Sequence, residues 1–192
     1  MFRRLALCLA LLGPLVAVAL VAPTSAAAQT AVQLTADERA GLEARVAEMT
    51  GYVDAGQFEA IMDFLPPRLL PTIAEHFGVD EAEARAATKA SVREVMSSVT
   101  IVQYDIDVDD AQAFITPDGS RRYAIFDLTM LMEVEDIQVR AITPNLAFVV
   151  DGVWYIMDPS SPDQAAMLRK AYPEFEGVRF DSGVMEMVEP DS

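Results

Sequence analysis

Val99-Thr100-Ile101-Val102-Gln103-Tyr104-Asp105-Ile106-Asp107-Val108 is the stretch in which the chain changes period. Before it, apolar residues return every three or four positions. Within it they alternate, with Val102, Tyr104, Ile106 and Val108 on one strand face and Gln103, Asp105 and Asp107 on the other. Helices therefore come first and strands after, which predicts an α+β domain.

Upstream, Thr35-Ala36-Asp37-Glu38 has the spacing of a capping box, in which the threonine oxygen and the glutamate carboxylate each satisfy a free backbone N–H. Leu42, Val46, Met49 and Val53 follow at helical spacing, and Gly56 is placed to end that helix in a left-handed turn. Phe58 to Leu65 reads as a second helical piece broken by Pro66-Pro67, and Arg68 to Phe77 as its resumption, with Pro71 in the first turn and Gly78 at the end. Asp80-Glu81-Ala82-Glu83 opens a third helix to about Ser97, with Ala84, Thr88, Val92 and Val95 on one stripe.

Downstream, the turn Pro117-Asp118-Gly119 leads to a long strand from about Arg121. Its one face carries Ala124, Phe126, Leu128, Met130, Met132 and Val134, and its other Tyr123, Ile125, Asp127, Thr129 and Leu131. Both faces are largely apolar, as expected of a central strand or of one lining a cavity. Ile137 to Thr143 and Leu146 to Val150 read as strand pieces separated by a bulge or bend at Pro144-Asn145. Asp151-Gly152, between Leu146–Val150 and Val153–Met157, is a two-residue hairpin turn, because both positions tolerate positive φ. A short helix from Pro162 to about Ala171 and a tail with Val178, Phe180 and Val184 complete the chain.

Met1 to Arg4 is basic, Leu5 to Val21 is apolar apart from Gly13 and Pro14, and Ser25-Ala26-Ala27-Ala28 supplies small residues before Gln29. This pattern predicts a secretory signal peptide, residues 1–28, cleaved after Ala28, and a periplasmic or secreted single domain, residues 29–192. The competing reading is an uncleaved anchor. Cleavage removes Cys8, the single cysteine, and takes the formal charge from −16 to −18. Without cysteine the mature domain has no disulfide and no thiolate chemistry. Its acidity disfavours nucleic acid and anionic membranes, whose affinity comes from Lys and Arg.

Two longer segments carry a family resemblance: Tyr52-Val53-Asp54-Ala55-Gly56-Gln57-Phe58 with Pro66-Pro67-Arg68, and Asn145 to Ile156 with Tyr172-Pro173-Glu174-Phe175. In these, and in its order of three helices before a bent antiparallel sheet, the chain resembles uncharacterised exported bacterial proteins of the nuclear transport factor 2-like, or cystatin-like, cone fold. The resemblance implies helices packed on the hollow of a strongly curved sheet. It supplies no catalytic residues.

The candidates for chemistry are few. His76, the single histidine, is a candidate general base; the competing reading is a helix-end histidine favoured by the dipole. Asp127 with Tyr104 or Tyr123 resembles the base and donor of cone-fold isomerases, provided that Asp127 faces the hollow; otherwise it is a solvated carboxylate. Asp105, Asp107, Asp109 and Asp110 resemble a calcium loop but lack its glycine and its terminal glutamate, so a solvated strand face is the ordinary reading. Phe126, Met130, Phe148 and Trp154 are candidate walls of an apolar ligand pocket, with Arg140 orienting an anionic group, against the alternatives of plain core and a surface ion pair. There is no glycine-rich phosphate loop, serine elbow or Cys–His set, so no cofactor or metal is expected.

The expectation is thus an exported, non-enzymatic domain binding a small apolar ligand or an envelope protein, with homodimerisation through the sheet. The alternatives are a small-molecule isomerase, dehydratase or hydrolase, and an acidic inhibitor or assembly factor for a basic partner.

Overall fold

The computed structural model describes residues 29–135 and 137–188; the expected signal peptide lies outside the described residues. The chain runs β1 (Thr30–Val32), α1 (Ala36–Asp54), a 3₁₀ segment (Phe58–Phe64), α2 (Leu69–Phe77), α3 (Glu81–Ser97), β2 (Thr100–Ile106), β3 (Gln112–Ile115), β4 (Arg122–Val134), β5 (Ile137–Val150), β6 (Val153–Met157), α4 (Pro162–Ala171), a 3₁₀ turn (Pro173–Phe175) and β7 (Val184–Val188). The architecture is α+β, with a seven-stranded antiparallel sheet that does not close. Among the described residues no helix is long and apolar enough to cross a membrane.

The helices begin and end where local chemistry dictates. Thr35 and Glu38 form the capping box of α1, and Asp80 accepts from the Glu83 amide at the start of α3. Ser161 and Gln164 form a second capping box, with Pro162 in the first turn of α4, where a missing N–H costs nothing. Gly78 ends α2 at φ 69°, a left-handed conformation that a side chain would strain. Phe58–Phe64 is 3₁₀ rather than α, a form used in short connecting pieces such as this one before Pro66.

The long hairpin β4–β5 is the spine of the sheet. Asp151 and Gly152, at φ 51° and 81°, make the tight turn into β6. β5 is one continuous strand, not two, and Pro144 lies within it opposite Asp127. On the outer side of β5, β6 pairs with Leu146–Val150 and β7 with Gln138–Ile142, so Pro144 falls between the two ladders. A residue without an N–H is tolerated in such a gap. The bulge lies instead in β2, between Ile101 and Gln103. It brings Ile101, rather than Val102, onto the face of Tyr104 and Ile106.

Register assigns the two faces. Ala124, Phe126, Ala147, Trp154 and Ile156 pack under α1 and the 3₁₀ segment against Leu42, Val46, Met49 and Phe64. Tyr123, Leu146, Phe148 and Met157 pack on the other side against Leu69, Leu168, Ala171, Tyr172, Phe175 and Val178. Helical elements thus cover both faces, not one. The apolar character of both sides of β4 between Tyr123 and Phe126 is satisfied within a single chain. Each fully buried Phe or Leu in these layers contributes about 1.5–3 kcal/mol. Towards the β4–β5 turn the cover ends: from Thr129 to Arg140 no described residue of β4 or β5 is buried.

Candidate functional site

The middle of the sheet is where paired strands diverge. On the outer side of β4, β3 pairs with Arg122–Ile125 and β2 with Leu128–Glu133, leaving Phe126 and Asp127 between them. On β5 the corresponding gap holds Thr143, Pro144 and Asn145. Asp127 and Pro144 are opposite each other, so the two gaps coincide. On the face that carries α4, this opening is a cavity of about 710 Å³.

Its floor is apolar, with Phe114, Ile125, Ile142 and Pro144, and its walls are acidic. Asp105 comes from β2, Asp107 and Asp110 from the loop after β2, Asp127 from β4 and Asp181 from the segment that crosses from Val178 to β7. Arg179 is the one basic residue in the lining among the described residues. Asp105 and Asp127 are both solvent-exposed, so their charges stay hydrated at the walls. The carboxylates are dispersed: among the described residues no three potential ligands converge on one metal-sized point. Asp107 is engaged locally, accepting from the Asp109 amide at 2.8 Å.

At one end of the cavity the Gln29 side-chain amide donates to the Tyr123 hydroxyl at 2.8 Å, tying the start of the described chain to the core. Burial raises the Tyr123 phenol above its ordinary range, partly offset by that hydrogen bond. Burial alone pushes Tyr104 up to about 12.

The residues singled out from sequence are dispersed. Asp127 lines the cavity, on the face away from α1. Tyr104 pairs with Met130, and so belongs to the opposite face of the sheet, out of reach of Asp127. His76 is exposed near the end of α2, edge-on to the exposed ring of Phe77, and does not line the cavity. Tyr123 shares the face of Asp127 but lies four residues away along β4 with its hydroxyl engaged by Gln29. The proton-transfer pairs read from sequence are therefore not assembled.

The five proposed pocket residues are also separated. Phe126 and Trp154 fill the core under α1, whereas Phe148 fills the one under α4. Met130 lies on the open part of the α1 face, and Arg140 is exposed on the other face, opposite Leu131 and Glu186. Of the five, Phe126 alone also borders the cavity.

The sequence presents Asp105, Asp107, Asp109 and Asp110 together, with a likeness to a calcium loop, and gives no local signal for Arg179 and Asp181. The acidic run was visible. Its convergence with Asp127 depends on the β2–β4 register and on the path of the chain after Val178, neither of which is a local signal.

No protein-family model, curated protein or solved structure matches this chain.

Proposed function

We propose that this chain is an exported binding domain of the bacterial envelope that holds a small cationic, amphiphilic ligand without transforming it. The observation that carries the proposal is a cavity with five carboxylates and one guanidinium around an apolar floor. An organic amine matches that arrangement, since its hydrocarbon part covers Phe114, Ile125 and Ile142 while its ammonium groups stay among hydrated carboxylates. The expectation of an apolar ligand is revised accordingly, because Phe126, Phe148 and Trp154 are core and Met130 lies on the opposite face of the sheet. The leader-like residues 1–28 support export. The order of three helices before the sheet supports a relative of the nuclear transport factor 2-like cone fold, here with α4 and its neighbours added on the second face.

Isothermal titration with spermidine, and in parallel with a dicarboxylate of similar length, tests this. Spermidine binds with an affinity that falls as salt rises, and the dicarboxylate does not bind. Equal binding of both, or of neither at millimolar concentration, rules the proposal out.

A further inference from the structure

A second site lies on the edge of the sheet. Among the described residues β1, β2, β6 and β7 each pair with one strand only, so each presents a free backbone edge there. Free edges recruit further strands unless they are short, bulged, charged or covered. β1 has three residues, and β2 is interrupted by its bulge. β6 is covered, because Arg45 of α1 donates to the Trp154 carbonyl at 3.1 Å. β7 has none of these protections apart from Glu186. It pairs with β5 in unbroken register from Val184 to Val188, contains no proline or lysine, and leaves Met185 and Met187 73% and 80% exposed.

We propose that β7 is the interface through which two copies of this chain pair, strand edge to strand edge, about a two-fold axis at Glu186. The sequence names the occupant. Val184-Met185-Glu186-Met187-Val188 reads the same in both directions. Antiparallel pairing about Glu186 therefore places Met185 opposite the partner's Met187 and Val184 opposite the partner's Val188, a self-complementary, closed contact. The β2-β4-β5-β7 sheets of the two copies become one sheet of eight strands. Met185 and Met187 lie on the same face as Met130 and Met132, so the methionine surface becomes continuous across the axis. The cost is Glu186 facing Glu186 of the partner subunit, like charges that repel when directly opposed. Arg140 stands opposite Glu186 in the β5–β7 register.

A five-residue strand pair is at the small end of protein interfaces, so the dimer dissociates within the micromolar range. Both copies are strongly acidic, so added salt tightens it. Val184, at the end of the paired strand, also borders the acidic cavity, but the carboxylates of that cavity lie outside β7, so association is read separately from cationic-ligand binding by sedimentation without ligand.

Sedimentation velocity of the whole protein across micromolar concentrations tests the association. A concentration-dependent monomer–dimer equilibrium is expected, with Met187→Lys weakening it at least about tenfold and Glu186→Gln tightening it. In a Cys8→Ala background, oxidation cross-links Glu186→Cys to a dimer, whereas Met185→Cys alone, facing the partner's Met187, cross-links far less. Unchanged Trp154 fluorescence verifies that these exposed substitutions leave the fold intact. A strict monomer at every concentration, an unaffected Met187→Lys equilibrium, or cross-linking of Met185→Cys as efficient as that of Glu186→Cys would each overturn the proposal.

Discussion

Tyr104 and Asp127 stand on opposite faces of one sheet: Tyr104 pairs across β2 and β4 with Met130, three residues along from Asp127, and the alternation of a strand turns the two side chains apart. A proton donor and a base separated by a sheet cannot act on one substrate. Tyr104→Phe and Asp127→Asn should therefore affect different properties. Their effects on stability should add within about 0.3–0.5 kcal/mol in a double-mutant cycle, and only the second should weaken binding of a cationic ligand. Urea denaturation of the two single variants and the double variant measures this.

Alkaline pH reports on Tyr104. Burial pushes its phenol from 10.0 up to about 12, so the folded state holds the proton where the unfolded chain has released it. The associated stability is fully present below pH 10 and is lost as pH rises from 10 to about 12. Tyr123 and Tyr172 are raised in the same direction by burial and add to the loss. Tyr104→Phe should flatten the decline in unfolding free energy over that window. A tyrosinate absorbance titration of the native protein should show ionisation delayed above pH 10.

Gly41 sits inside α1 because Trp154 lies against it. A β-carbon there would be 3.0 Å from the indole Nε1 and 3.1 Å from Cδ1, while Trp154 is buried under α1. Glycine in a helix interior ordinarily costs about 1 kcal/mol relative to alanine. Here that cost is offset by the close packing of helix and strand. Gly41→Val should destabilise the fold by about 1–3 kcal/mol through overpacking. The single tryptophan makes the change readable as a lower urea midpoint with altered fluorescence in the folded baseline.

The ion pair of Arg121 and Glu174 joins the start of β4 to the 3₁₀ turn after α4. Its Nε–Oε1 distance is 2.7 Å, with side chains 24% and 15% exposed. The same guanidinium donates to the Val149 carbonyl and lies 5.2 Å from the Phe148 ring centroid. Glu174→Ala removes the carboxylate and should cost about 1.5–3 kcal/mol, the scale of hydrogen bonds to charged groups. Arg121→Lys should cost a comparable amount, because an ammonium cannot reproduce the planar fork over the rings. Both are checked by chemical denaturation.

Much of the fold was legible because its signals are local. Thr35 and Glu38 announce α1, Leu42 to Val53 mark its buried face, and Asp151-Gly152 marks a hairpin, each within a few residues. Alternation from Ala124 to Val134 assigned both faces of β4 correctly. Three features were hidden. From sequence Pro144 reads as a break, because its tolerance depends on β6 and β7 ending on either side of it. β7 reads as tail, because Val184–Val188 gains its strand character from pairing with β5. The cavity was hidden because Asp105, Asp127 and Asp181 are joined only by strand register and chain crossing. Conversely, Phe126, Phe148 and Trp154 looked like one pocket because apolar composition does not say which side of a sheet a residue fills.

The proposed ligand-binding surface is the acidic cavity on the α4 face. Methyl-resolved NMR during a spermidine titration tests it most directly. Saturable shifts are expected at Ile125, Thr129 and Ile142, which border the cavity, with Met130 and Met132 on the reverse face unmoved. Shifts confined to Met130 and Met132, or none at any of these methyl groups, would contradict it.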